Sequence, residues 1–113
     1  MHRLNSKTTL SFTNSSYYPT SYADIRNGVL HFRCTGLVPQ RVPAGNEFQL
    51  NTSSQFPARY RPAIDSIYYV LGTSNTSQYF RVAFYSDGRI TMATNVELPA
   101  STGINVHVTT ILN

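Results

Sequence analysis

The sequence predicts an all-β chain, a compact antiparallel barrel or sandwich of about seven or eight short strands. Three observations lead there. Apolar and polar residues alternate with a period of two in several segments, turn-forming residues punctuate those segments, and no useful stretch repeats with the helical period. The 113 residues are one domain's worth of chain, long enough to bury a core.

Residues 8–13 form the first expected strand, with Leu10 and Phe12 on one face. Residues 14–24 mix Tyr17, Tyr18, Pro19 and Tyr22 with small polar residues and read as a loop or broken strand. Residues 29–38 alternate, with Leu30, Phe32 and Cys34 on one face and His31, Arg33 and Thr35 on the other. Pro39, Pro43 and Gly45 mark residues 39–46 as a connection. A short strand through Phe48 and Leu50 follows, then a polar loop over 51–62. Ile67, Tyr68, Tyr69, Val70 and Leu71 make a β-rich run; its tyrosines are assigned to packing, because one of the two must point inward. In residues 79–85, Phe80, Val82 and Phe84 alternate with Tyr79, Arg81, Ala83 and Tyr85. Ser86-Asp87-Gly88 is the strongest turn signal and predicts a hairpin into Ile90 and Met92. After a loop over 95–103, Ile104, Val106 and Val108 alternate with Asn105, His107 and Thr109 in the last strand.

Composition narrows the function classes. Charged residues are 12% of the chain against roughly 25% in typical domains, and hydroxyls and amides take their place. Fourteen aromatic residues, with many Val, Ile and Leu, are enough to offset the entropy of folding. No apolar run approaches the roughly 18 residues of a membrane span. The net charge is +4, but eight of the nine cations are arginines spread along the chain, unlike the concentrated stripe of a nucleic-acid domain. Cys34 is the single cysteine, so no internal disulfide exists, and its place in an apolar alternation predicts a buried thiol.

No catalytic or cofactor motif emerges. Asp24, Glu47, Asp65, Asp87 and Glu97 show no local pairing of the kind a glycosidase needs, with Asp24 and Glu97 in loop-like sequence and Asp87 in the hairpin. His2, His31 and His107 lack metal-ligand spacing, and phosphate-cradling and nucleophile-elbow motifs are missing. The expectation is a non-enzymatic chain without cofactor or metal. The sequons at Asn14, Asn51 and Asn75 are expected by chance in so Asn-, Ser- and Thr-rich a chain. The positive signal is eight tyrosines without tryptophan, a composition suited to surface recognition. Tyr79, Arg81 and Tyr85 share one outward face, with Arg89 nearby past the turn; His31 and Arg33 share another. Arginine forks between tyrosine rings suit a hydroxyl-rich ring carrying an anionic group.

The order of three segments resembles a known family. Gly28-Val29-Leu30-His31-Phe32-Arg33-Cys34-Thr35-Gly36 looks like the strand that opens many C-terminal domains of tail proteins from phages of Gram-positive bacteria. Phe56-Pro57-Ala58-Arg59-Tyr60-Arg61-Pro62 is similar to their P-x-x-(F/Y)-R-P segment, and the sequence from Phe80 to Thr91 to their strand, Asp-Gly turn and strand. The likeness is nearest to the receptor-binding head domain of lactococcal siphophages and covers about residues 26–113, leaving residues 1–25 as a strand and linker that could end a neck segment. It implies a homotrimeric β-barrel head at the tail tip or baseplate of the virion, held to other baseplate proteins and exposed outside the cell during adsorption. It implies binding of host cell-wall polysaccharide and no enzymatic activity, with neither nucleic acid nor membrane as partner. In several such heads a His and, two residues on, an Asp contact the sugar, with an aromatic residue after the turn; the matching positions here are Arg81, Ala83 and Met92 or Ala93. Arg81 can still donate, whereas Ala83 and Ala93 cannot make the family's contacts. The expected saccharide-binding residues are therefore Arg81, Tyr79, Tyr85 and Arg89, with His31 and Arg33 as the second face. Two other readings stand beside this one: a purely structural trimeric tip of a tail fibre, and an OB-like binder of single-stranded nucleic acid.

Overall fold

The computed structural model describes residues 7–12 and 14–112. Residues 1–6 of the expected N-terminal segment, Thr13 at the end of the first expected strand, and Asn113 lie outside the described residues. Eight strands follow in order among those described: β1 (Lys7–Phe12), β2 (Ser21–Arg26), β3 (Val29–Leu37), β4 (Phe48–Gln49), β5 (Ser66–Val70), β6 (Phe80–Phe84), β7 (Ile90–Thr94) and β8 (Gly103–Ile111). They form two four-stranded sheets, β1-β2-β3-β8 and β4-β7-β6-β5, with every pairing antiparallel. Two 3₁₀ turns, Ser53–Gln55 and Ala58–Tyr60, interrupt the loop before β5.

Alternation builds the core between the sheets. Leu30, Phe32 and Cys34 point inward from β3, and Ile104, Val106 and Val108 from β8. Phe80, Val82 and Phe84 of β6 and Ile90 and Met92 of β7 meet them from the other sheet. Phe32 and Phe84 pack edge to face across the interior, their ring centroids 5.5 Å apart. Tyr68 turns inward against Phe84 and donates its hydroxyl to Thr110 Oγ1 at 2.7 Å, joining β5 to β8. Single backbone bonds also link the sheets: Asn14 N–H to the Leu50 carbonyl on one side and Asn105 N–H to the Gly72 carbonyl on the other.

Of the two readings for residues 14–24, a loop or a broken strand, the end of the segment follows the strand. Ser21, Ala23 and Ile25 are buried in alternation on β2, so Asp24 lies mid-strand. Small inward residues, Ser21 and Ala23, disguised the pattern, because a shallow inward face close to its neighbours needs no large side chain. β2 turns into β3 through Asn27 (φ 54°) and Gly28 (φ 77°), both left-handed, the geometry of a two-residue type I′ hairpin. The expected boundary near residue 25 falls within β2, and Phe12, Tyr18, Ala23 and Ile25 join the same core as the rest.

The Asp87-Gly88 hairpin forms as expected. Gly88 N–H bonds the Tyr85 carbonyl, Tyr85 N–H bonds the Arg89 carbonyl, and Gly88 takes φ 98°. Two distant residues hold this turn. The buried Asn51 side chain donates to the Gly88 carbonyl (2.8 Å) and accepts from Ile90 N–H (2.9 Å). It prolongs the bonding of Leu50 N–H to the Ile90 carbonyl after the β4 segment turns away. Arg61 lies over Gly88, with Nε donating to the Phe56 carbonyl at 2.9 Å. The Pro57–Pro62 segment thus docks on the hairpin, which gives two of the sequence motifs a structural reason to occur together.

Candidate functional site

The outer face of the β4-β7-β6-β5 sheet gathers most of the candidate residues. Register places Tyr69 opposite Arg81, Arg81 opposite Ala93, and Ala83 opposite Thr91, so these side chains share one side. Glu47, just before β4, reaches the same side. A single carboxylate oxygen, Oε2, accepts from Arg81 Nη1 (2.6 Å), Thr91 Oγ1 (2.7 Å) and the Tyr85 hydroxyl (2.8 Å). Oε1 takes no bond from any described residue.

Partial burial alone would raise the Glu47 carboxyl, but bonds from Thr91, Tyr85 and Arg81, with the charge of Arg81, hold it below the usual carboxylate range. The Arg81 guanidinium is pushed up, first by its hydrogen bond with Tyr85 and then by that with Glu47. Both groups are therefore ionised and mutually oriented. The result is a preset acceptor beside a preset donor fork.

Tyr79 is 43% exposed and Tyr69 65% exposed, and their rings meet edge to face at 5.9 Å. Tyr69 is a functional candidate that sequence reasoning assigned to packing. Alternation says that one of Tyr68 and Tyr69 points outward, but only the pairing with β6 tells which. Glu47 was also missed as a site residue: it lies 34 positions from Arg81, and no local signal joins them. Tyr85 is placed differently from expectation. The Arg89 guanidinium sits 4.2 Å over its ring, and Arg89 Nε is 3.0 Å from Asp87 Oδ2. One face of Tyr85 is covered, leaving Tyr69 and Tyr79 as the open aromatic surface. Ala83 and Thr91 lie on this side but are buried, so the sheet's centre is a floor of small residues.

His31 and Arg33 stand elsewhere, on the outer face of the β1-β2-β3-β8 sheet. Because the two sheets pack through their inner faces, this surface points away from Arg81. Arg33 lies 3.7 Å from Asp24 and 5.4 Å from the Tyr22 ring centroid, and His31 Nδ1 is 3.2 Å from Thr109 Oγ1. The sequence candidates thus divide between two opposed surfaces, with Tyr79, Arg81, Tyr85 and Arg89 on or beside one and His31 and Arg33 on the other.

Other features are structural. Cys34 is fully buried, donates to the Pro19 carbonyl (3.4 Å), and has its thiol pushed up by burial to about 12. A cleft of about 330 Å³ lies where Leu71–Ser74 approach Gly103–Asn105, and no sequence-predicted site residue lines it. Among the described residues no group of three metal-ligating side chains comes together. Nor, among the described residues, is any helix long and apolar enough to cross a membrane. No family model matches the chain, and no curated protein matches it.

Proposed function

We propose that this chain is an adhesion module that binds saccharide through the outer face of the β4-β7-β6-β5 sheet. The observation that carries the reading is the exposed Tyr69–Tyr79 pair beside the Arg81–Glu47 ion pair. Pyranose rings present apolar C–H faces, which stack on open aromatic rings, and rims of hydroxyls, which need donors and acceptors together. Arg81 supplies the donors and Glu47 Oε1 the acceptor. Tyr85 and Thr91 fix the carboxylate beforehand, which lowers the ordering cost of binding.

The resemblance of three segments to lactococcal siphophage heads supports a specific role: a receptor-binding head that recognises host cell-wall polysaccharide during adsorption, assembled as a homotrimer and without catalysis of its own. Three weak sites on one particle give tight adsorption by avidity. A second reading rests on the outward row Ile67, Tyr69 and Leu71, exposed by 44%, 65% and 55% on the edge strand and just beyond it. Such a row suits a subunit contact, as in a purely structural tip.

Titration of host-wall polysaccharide against the parent and Tyr79→Ala, with light scattering on each, separates the two. The adhesion reading expects a particle of about 38 kDa, three times the 12.7 kDa chain, in both proteins. Tyr79→Ala should bind at least about tenfold more weakly, the loss of roughly 1.4 kcal/mol. Polysaccharide that binds neither protein refutes saccharide adhesion; a monomer refutes the trimeric assembly.

A further inference from the structure

The charges around the Tyr69–Tyr79 pair cancel. Arg81 is paired with Glu47, and Arg89 with Asp87. Arg61 and Asp65, one of each sign, both hold the hairpin turn: Arg61 lies over Gly88, and Asp65 Oδ1 accepts from Ser86 N–H at 2.8 Å. Ala83, Thr91 and Ala93, which floor this side of the sheet, are uncharged. A free arginine fork favours carboxylate or phosphate, whose oxygens match its geometry. Here Glu47 already fills that role. Its Oε2 takes Arg81 Nη1, the Tyr85 hydroxyl and Thr91 Oγ1, while Oε1 stays open beside the guanidinium. Thr91 is itself buried, so an incoming anion would have to displace a carboxylate that is anchored from below as well as from the side.

We infer that Glu47 is the specificity-determining residue of this face: a built-in anion that restricts the site to uncharged saccharide and rejects rings bearing carboxylate or phosphate. The inference rests on the saccharide reading given above and adds a rule of selection to it. A group that meets the Arg81–Glu47 pair must accept from the guanidinium and donate to Oε1. A sugar hydroxyl does both, whereas an ionised carboxylate or phosphate can only accept. An anionic group beside Arg81 would also lie next to the Oε1 charge, and like charges brought together at a binding surface are strongly unfavourable. The selection therefore runs opposite to what Arg81 between tyrosines implies in the sequence, where its carboxylate partner 34 residues away is out of sight.

The test titrates the whole chain, fluorescently labelled, over a glycan array of oligosaccharide pairs that differ only in an anionic group: glucose against glucuronate, galactose against galacturonate, mannose against mannuronate, and glucose against glucose 6-phosphate. In every pair that binds, the neutral member should bind at least about tenfold more tightly. Raising salt from about 20 to 500 mM should narrow that ratio, because screening weakens the repulsion, and should leave the neutral affinity within about twofold. Glu47→Gln removes the charge but keeps an oxygen for Arg81, and it should bring the ratio to within about twofold or invert it. Asp24→Asn removes a carboxylate from the other sheet and should keep the parent's ratio. Tyr79→Ala should weaken both members alike, because stacking does not depend on the anionic group. Melting curves establish that each variant is folded, and the salt series on the parent tests the same repulsion without any substitution. The inference is overturned, with saccharide adhesion still standing, if acidic members bind the parent as tightly as neutral ones, if salt leaves the ratio unmoved, or if folded Glu47→Gln keeps the parent's ratio. A parent that binds no pair refutes the saccharide reading and this inference with it.

Discussion

Asn51 offers a measurable test of how the hairpin is held. Its amide joins two buried backbone groups, accepting from Ile90 N–H and donating to the Gly88 carbonyl, and the side chain is itself fully buried. Asn51→Ala leaves both groups without that partner and out of reach of water. Each orphaned group costs about 1–3 kcal/mol, so the substitution should destabilise by about 2–6 kcal/mol. Against a total stability of about 5–15 kcal/mol, that is a severe loss. Urea unfolding followed by circular dichroism and tyrosine fluorescence measures it, and the midpoint should fall while the slope stays constant. Asn51→Asp sharpens the argument. A carboxylate keeps the acceptor for Ile90 N–H but turns a second oxygen toward the Gly88 carbonyl, where a donor is needed. Its protonated form is the one the site favours, so its pKa in the folded protein should lie above the unfolded value. Its stability deficit relative to the parent should therefore be smallest in acid and grow as pH rises through the folded pKa. An Asn51→Ala protein within about 0.5 kcal/mol of the parent would refute the reasoning, because surface substitutions alone give changes of that size.

Three further outcomes follow from the same geometry. Gly88→Val should cost about 1–3 kcal/mol or more in thermal unfolding, because φ is 98° and an added Cβ would lie 2.5 Å from Arg61 Nε; parent-like melting would overturn this. Cys34 should resist thiol reagents at pH 8 in the native protein and react fully in guanidinium, since burial raises its thiol to about 12; rapid native labelling would contradict its placement. Glu47 is held below the usual carboxylate range, so its stabilising contribution is present at neutral pH and is lost as pH falls through the folded value. Glu47→Gln should flatten that part of the acid-stability profile, by a modest amount because the pair is partly exposed and screened; an unchanged profile would count against the ion pair.

Local sequence was enough for much of the all-β architecture. Alternation is a property of one strand, and it identified the inward faces of β3, β6 and β8 because large apolar residues mark them: Leu30 and Phe32, Phe80 and Phe84, Ile104 and Val106. The Asp87-Gly88 turn was legible for a similar reason, since a left-handed residue demands glycine within the turn itself. The pattern failed at β2, where Ser21 and Ala23 are too small to mark a face, and it could not choose between Tyr68 and Tyr69. Only the tertiary structure decided what depends on pairing between distant segments. Strand register sent Tyr69 outward, brought Glu47 to Arg81 across 34 residues, and set Arg33 and Arg81 on opposite surfaces. The same long-range closure gave Asn51 its place beside Gly88, 37 residues away. Period-two alternation states which residues share a face of one strand; which strands lie side by side, and what their faces jointly present, is determined by contacts that no local pattern contains.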